Sequence, residues 1–138
     1  MSRSGYDDDY DNTWGLICWR GAVASAFRGS RGQAFLREML QALDNLPDKK
    51  LIAKELIQEG AVCALGAVGK ARGVDMTSID PEDRSSVAGA FGIAEAMAAE
   101  IMFENDEGRG YWAKETPEAR WSRMRNWVAN QLIEWDKP

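Results

Sequence analysis

The chain has no histidine among its 138 residues. That absence removes the side chain that most often serves as general base near neutral pH, and with it the nucleophile triads built on imidazole. Cysteine is scarce too. Cys18 and Cys63 are the 2 thiols, too few to close a tetrahedral zinc site without histidine. Both lie in apolar runs and are read as small buried thiols of a reducing compartment, not as a disulfide. No cofactor and no metal is expected. The N-terminus "MSRSGYDDDYDNTW" has no apolar stretch of the signal-peptide kind, and no apolar run approaches membrane-spanning length, so the expected location is cytoplasmic. A basic excess is also missing: 17 Lys and Arg stand against 22 Asp and Glu, a net charge of −5. Such a balance gives no long-range attraction to a nucleic-acid backbone.

What is present is a globular composition, 45% hydrophobic and 28% charged, long enough for one domain with its own core. Residues 1–12 carry four aspartates, Asp7, Asp8, Asp9 and Asp11, and no apolar period; they read as a mobile acidic arm ahead of a single helical domain over 13–138. Asn12 or Thr13 can cap a helix running to about Phe27. On its wheel Trp14, Ile17, Cys18, Gly21 and Ser25 share one side, and Leu16, Trp19, Val23 and Phe27 the other. A helix apolar nearly all round either sits at the centre of the fold or keeps one face for a partner.

In "GSRGQAFLREMLQALDNLP", Ser30 is the expected cap with Gln33 three residues on. Phe35, Leu36, Met39, Leu40 and Leu43 form the buried face, Arg37, Glu38, Gln41 and Asp44 the solvated one, and Pro47 the stop. Two apolar runs flank "QEG" in "KKLIAKELIQEGAVCAL", which predicts a small two-stranded hairpin, with a helix over "LIAKELI" as the alternative. "IDPEDR" starts another helix, with Asp80 as cap and Pro81 in its first turn. Its stripe is Val87, Phe91, Ala94, Ala98, Ile101 and Met102, and Gly89 and Gly92 are points where it can break in two. "ENDEGRG" reads as a polar connector. Thr116 and Pro117 start the last helix, with Trp121, Met124, Val128, Leu132 and Trp135 on one face. The expected fold is therefore mainly α, with α+β open: about four to five helices packed around an apolar first helix.

The stretch "ALGAVGKARGVD" raises the question of a phosphate loop. Two residues, not four, separate Gly66 from the Gly69-Lys70 pair, and Ala71 stands where a magnesium-binding hydroxyl belongs. Gly66-Ala67-Val68-Gly69 matches the clamp of KH nucleic-acid modules formally, but Arg72 occupies the position of their next aliphatic residue and the order of flanking elements differs. The simpler expectation is a short helical turn whose small residues permit tight packing, with Gly73 as left-handed C-cap and Lys70 and Arg72 near its C-terminus. Of the 6 tryptophans, Trp14, Trp121 and Trp135 fall on buried stripes. Trp19, Trp112 and Trp127 fall off them and are candidate interface anchors.

The segments "RGQAFLREML", "CALGAVGKARGVDM", "DPED", "FGIAEAMAAEIMFENDE" and "ETPEARWSRMRNWV" together resemble a family of small uncharacterised proteins encoded in phages and prophages of proteobacteria. The resemblance spans nearly the whole chain and carries no catalytic or binding residue across. It implies a setting: accessory proteins that act in the host cytoplasm, bind a host protein and in some cases block a defence system, as anti-CRISPR proteins do.

Three functions follow as expectations. The first is a non-enzymatic accessory protein that binds a host protein through Trp19, Phe27, Trp112 and Trp127, with a homodimer through Leu16, Trp19, Val23 and Phe27 as a related outcome. The alternative is nucleic-acid binding through Arg28, Arg31, Lys70 and Arg72. For an enzyme the groups would be Asp75, Asp80 and Glu82 beside Lys70, but helix-start roles already account for Asp80 and Glu82.

Overall fold

In the computed structural model, which describes residues 3–4, 13–108 and 114–133, helices α1 (Thr13–Arg28) and α2 (Ser30–Asn45) lead the chain. A hairpin of β1 (Ile57–Gln58) and β2 (Ala61–Val62) follows, then α3 (Ala64–Arg72), a 3-10 turn (Met76–Ser78), α4 (Arg84–Phe91), α5 (Glu95–Glu107) and α6 (Pro117–Gln131). The fold is mainly α with one small antiparallel sheet. No single helix among the described residues is long and apolar enough to cross a membrane.

The helix at the centre is α2, not α1. Gly32, Gln33, Phe35, Leu36, Met39, Ala42 and Leu43 are buried along it, and it packs against α1, α3 and α6. Its C-terminus is tied on two sides. Lys49 Nζ donates to the carbonyls of Asp44 and Leu46 at 2.5 and 2.6 Å, and Trp121 Nε1 on α6 donates to the Leu43 carbonyl at 2.9 Å. The start differs from expectation: the N-cap is Gly29, with no side-chain cap, and Ser30 is the first helical residue. Gln33, read as half of a capping box, turns inward instead, because its position faces the seam between α1 and α6.

The hairpin forms as predicted. Ile57 pairs with Val62 and Gln58 with Ala61, and the connecting Glu59 and Gly60 both have positive φ, 53° and 85°, as a two-residue type I′ turn requires. The glycine-rich stretch is α3, packed on that hairpin. Cβ atoms on Gly66 and Gly69 would overlap the Leu56 carbonyl oxygen and the Met76 sulfur, respectively, so both positions require glycine for close approach. Gly73 caps the helix in the left-handed region at φ 73°.

The helix expected from "IDPEDR" starts later. Asp80 holds a local turn, its Oδ1 accepting from the Glu82 N–H at 3.0 Å and its carbonyl from the Asp83 N–H at 3.1 Å. The cap is Asp83, whose Oδ1 accepts from the Ser85 and Ser86 N–H groups at 3.1 and 3.2 Å. Gly92 at φ 71° ends α4, and α5 leaves at 107° to it, which raises the helix count to six among the described residues. The expected connector "ENDEGRG" is partly helical: Glu104 to Glu107 belong to α5. At α6, Thr116 Oγ1 accepts from the Ala119 N–H at 3.1 Å as predicted.

Several carboxylates are held below their ordinary pKa by partners formed on folding. The hydrogen bond from Arg72 depresses Glu38, and that from Arg125 depresses Asp44. The Thr77 and Ser86 hydroxyls do the same for Asp75 and Asp83. Their stabilisation is complete above the ordinary values of 4.5 for Glu38 and 3.8 for the aspartates, and is lost as pH falls through the lower folded-state values. Glu104 runs the other way. Burial raises it, so its contribution is present in acid and lost as pH rises through the raised value. Urea midpoints measured across this range should fall on acidification below 4.5. The share due to Glu38–Arg72 and Asp44–Arg125, both partly solvent-exposed, should shrink in high salt.

Candidate functional site

α1 rests on the protein by a narrow edge. Val23 and Phe27 are buried and Trp19 is half-buried, positions i, i+4 and i+8 of one stripe. These three belong, with Leu16, to the stripe that the sequence reserves for a partner; the structure turns them inward and leaves Leu16 outside. Among the side chains described, Trp19, Val23 and Phe27 bury far more apolar area than Ile17, Cys18, Gly21 and Ser25 can, and they take the core; the side chain of Trp14 lies outside the described residues. Phe27 accordingly lies inside, edge-on to Trp127 at 5.6 Å between ring centroids. The Arg84 guanidinium lies 4.9 Å from the centre of the Trp19 ring.

The outward side of α1 is the consequence. Leu16, at 43% exposure, and Ile17, at 56%, are the large hydrophobic side chains left exposed among the described residues. Cys18, expected to be buried, is exposed beside them, and Gly21, Ala22, Ala24 and Ser25 continue the exposed surface. Only Arg20 and Arg28 carry charge in the 16 residues of this helix, and Arg20 is bound to Glu100 by two bonds of 2.8 and 3.1 Å.

This surface runs into a cleft of about 500 Å³ between α1 and the C-terminal half of α6. Val23, Phe27 and Trp127 form its apolar part, the Arg20–Glu100 pair and Arg28 its charged rim. Gln33 fixes the two walls. Its side-chain Nε2 donates to the Phe27 carbonyl at 2.7 Å and the Gln131 carbonyl at 3.1 Å, while its Oε1 accepts from the Ile133 N–H at 3.0 Å. The arrangement offers an uncharged helical face with an aromatic-floored cleft beside it. Of the expected anchors, the structure brings Phe27 and Trp127 together and sets Trp19 nearer the other end of α1; Trp112 lies outside the described residues.

The four basic residues of the nucleic-acid reading are strung along α2 and not gathered. Arg28 borders the α1–α6 cleft, Arg31 a smaller one at the start of α2, and Lys70 one near Leu46 and Pro47 at its far end. Those ends are about 22 Å apart by helix rise. Arg72 is committed to Glu38 by bonds of 2.7 and 2.6 Å. Of the acids weighed for catalysis, Asp75 caps the 3-10 turn through the Thr77 N–H at 3.1 Å, and Asp80 holds the turn before α4.

A polar cluster that the sequence does not announce gathers at the C-terminal end of α5. Arg123 donates to the carbonyls of Glu104 and Asn105 at 2.8 and 3.2 Å and grips Glu115 with bonds of 2.7 and 3.0 Å. Arg120 donates to the carbonyls of Asn105 and Leu51, each at 3.1 Å. The guanidinium groups bond the carbonyls of Glu104 and Asn105 in the last turn of α5, where cations are favoured. The signal for it lay in the spacing of Arg120 and Arg123, one helical turn apart after the Thr116 cap. Comparison of the chain with protein-family models, with curated proteins and with solved structures finds no match.

Proposed function

We propose that this protein is a non-enzymatic binding protein that docks a partner protein on the outer face of α1 and the adjoining cleft. The observation that carries the reading is the exposure of Leu16 and Ile17, side by side on a helix almost devoid of charge. Contiguous exposed apolar surface of this kind marks interaction sites, and the cleft over Phe27 and Trp127 can receive one anchoring side chain of the partner. In keeping with the resemblance to phage and prophage accessory proteins, the partner is a host protein of the cytoplasm, with a component of a defence system as the specific case to examine.

The test is an affinity capture from host lysate with the wild-type protein and a Leu16→Glu/Ile17→Glu variant. Because both side chains are exposed, the variant should keep its circular dichroism spectrum and its unfolding free energy within about 0.5 kcal/mol per site. Recovery of a specific partner should fall on the order of tenfold or more, since each substitution would bury a charge in the complex. Equal recovery by both proteins rejects the α1 face. Light scattering of the pure protein separates docking of a host protein from pairing of two copies through the same face.

A further inference from the structure

Residues 3 and 4 belong to the arm that the sequence reads as mobile, yet both are buried; residues 5–12 lie outside the described residues. Arg3 reaches the end of α5 and meets Asp106 with a two-pronged contact, Nε to Oδ2 at 2.7 Å and Nη2 to Oδ1 at 2.9 Å. The Arg3 and Asp106 side chains are 1% and 4% exposed, and Ser4 is held alongside by a 2.6 Å bond from Arg84 Nη1 to its carbonyl.

The receiving side is built without help from Arg3. Asp106 Oδ1 accepts from the Lys54 N–H at 3.0 Å and from Asn105 Nδ2 at 2.9 Å. Asn105 is itself locked, with Oδ1 accepting from the Ala64 N–H at 3.1 Å and Nδ2 donating to the Ile52 carbonyl at 2.9 Å. Lys54 has φ 72°, a left-handed conformation that costs a residue with a side chain and that tends to persist at functional sites. Cys63 is buried next to Ala64, whose N–H Asn105 holds; burial works against the charged form of Arg3, and its bonds to Asp106 favour it. The Cys63 sulfur also accepts from the Gly66 N–H at 3.4 Å as the cap of α3.

Two features make the plug exchangeable. Desolvation offsets most of the attraction within a buried ion pair, and Arg3 Nη1 is buried without a hydrogen-bond partner, which adds to the cost of keeping it there. With Arg3 withdrawn, Asp106 would keep the donors from Lys54 and Asn105.

We propose that Asp106 and Asn105 form a binding socket for an arginine side chain, plugged here by Arg3 of the same chain, and that withdrawal of residues 3–4 opens both the socket and the way to the Cys63 thiol beside it. This is independent of the α1 docking face.

The experiment uses full-length protein carrying Arg3→Ala and follows iodoacetamide alkylation of Cys63 by peptide mass spectrometry, with exposed Cys18 as internal standard. In the wild type Cys18 should react and Cys63 should be protected. In Arg3→Ala the Cys63 rate should rise on the order of tenfold as local opening becomes easier. N-Acetylargininamide should restore protection saturably and N-acetyllysinamide should not, because only the planar fork matches the carboxylate. Arg3→Lys keeps the charge without the fork and should behave like Arg3→Ala; it carries the measurement if the alanine variant does not fold. Cys63 equally protected in a folded variant, or equal effects of the two amides, overturns the proposal.

Discussion

Replacing Arg123 with alanine should lower the unfolding free energy by about 3–5 kcal/mol, the range typical of removing one partner from a buried charged network. The size follows from what is left behind. Glu115, with a side chain 5% exposed, would lose both of its bonds to Arg123, leaving the longer 3.4 Å contact with Arg120 among its partners. The Glu104 carbonyl would lose its guanidinium cap, and the Asn105 carbonyl one of its two. A domain of this size has about 5–15 kcal/mol in total, so the loss should be plain in urea unfolding. The cause can be isolated. If the damage comes from the carboxylate deprived of Arg123, Arg123→Ala combined with Glu115→Gln should be less destabilised than Arg123→Ala alone. A double variant worse than the single would instead assign the cost to lost packing by the arginine stem.

Gln33→Leu should cost about 3 kcal/mol, because three backbone groups lose their partner at once and each unsatisfied buried group costs about 1–3 kcal/mol, with incomplete additivity. The shape is nearly conserved, so cavity formation contributes little. The groups affected are the carbonyls of Phe27 and Gln131 and the N–H of Ile133, which join the end of α1 to the end of α6. Amide exchange at Ile133 should accelerate more than at the centre of α2, and partner capture should weaken along with stability because the cleft walls separate. Gln33→Glu should be worse than Gln33→Leu at neutral pH: a carboxylate can accept from Ile133 but faces two carbonyl oxygens with nothing to donate.

Much of the local structure is legible in the chain. The period of Phe35, Leu36, Met39 and Leu43, the Thr116-Pro117 start, the turn at Glu59-Gly60 and the C-cap at Gly73 all rest on short-range rules, and the structure obeys each of them. The errors share a cause. Asp80 and Asp83, like Ser30 and Gly29, are neighbours of similar capping ability, and which one starts the helix depends on the path of the loop before it. Cys18 and Cys63 look alike in sequence, and only the docking of α1 against α2 and α5 decides that one is outside and the other buried.

The candidate site was less legible because it depends on a choice between two faces. A wheel shows that α1 has apolar residues on both sides, but the energy of burying Trp19, Val23 and Phe27 is realised only against particular neighbours on α2, α5 and α6. The polar groups that matter most, Gln33, Asn105, Asp106 and Arg3, read in sequence as surface residues because polar side chains are usually solvated. Each is buried only because partners from distant parts of the chain meet it, as Arg3 and Asp106 do across 103 positions. The sequence by itself therefore determined the helices, the hairpin, the absence of imidazole chemistry and the helical packing of the glycine-rich stretch, since periodicity, turn geometry and residue type act over a few positions. Tertiary structure alone decided which side of α1 faces outward and which polar side chains are enclosed, because those outcomes are set by the area and hydrogen bonds that distant segments supply.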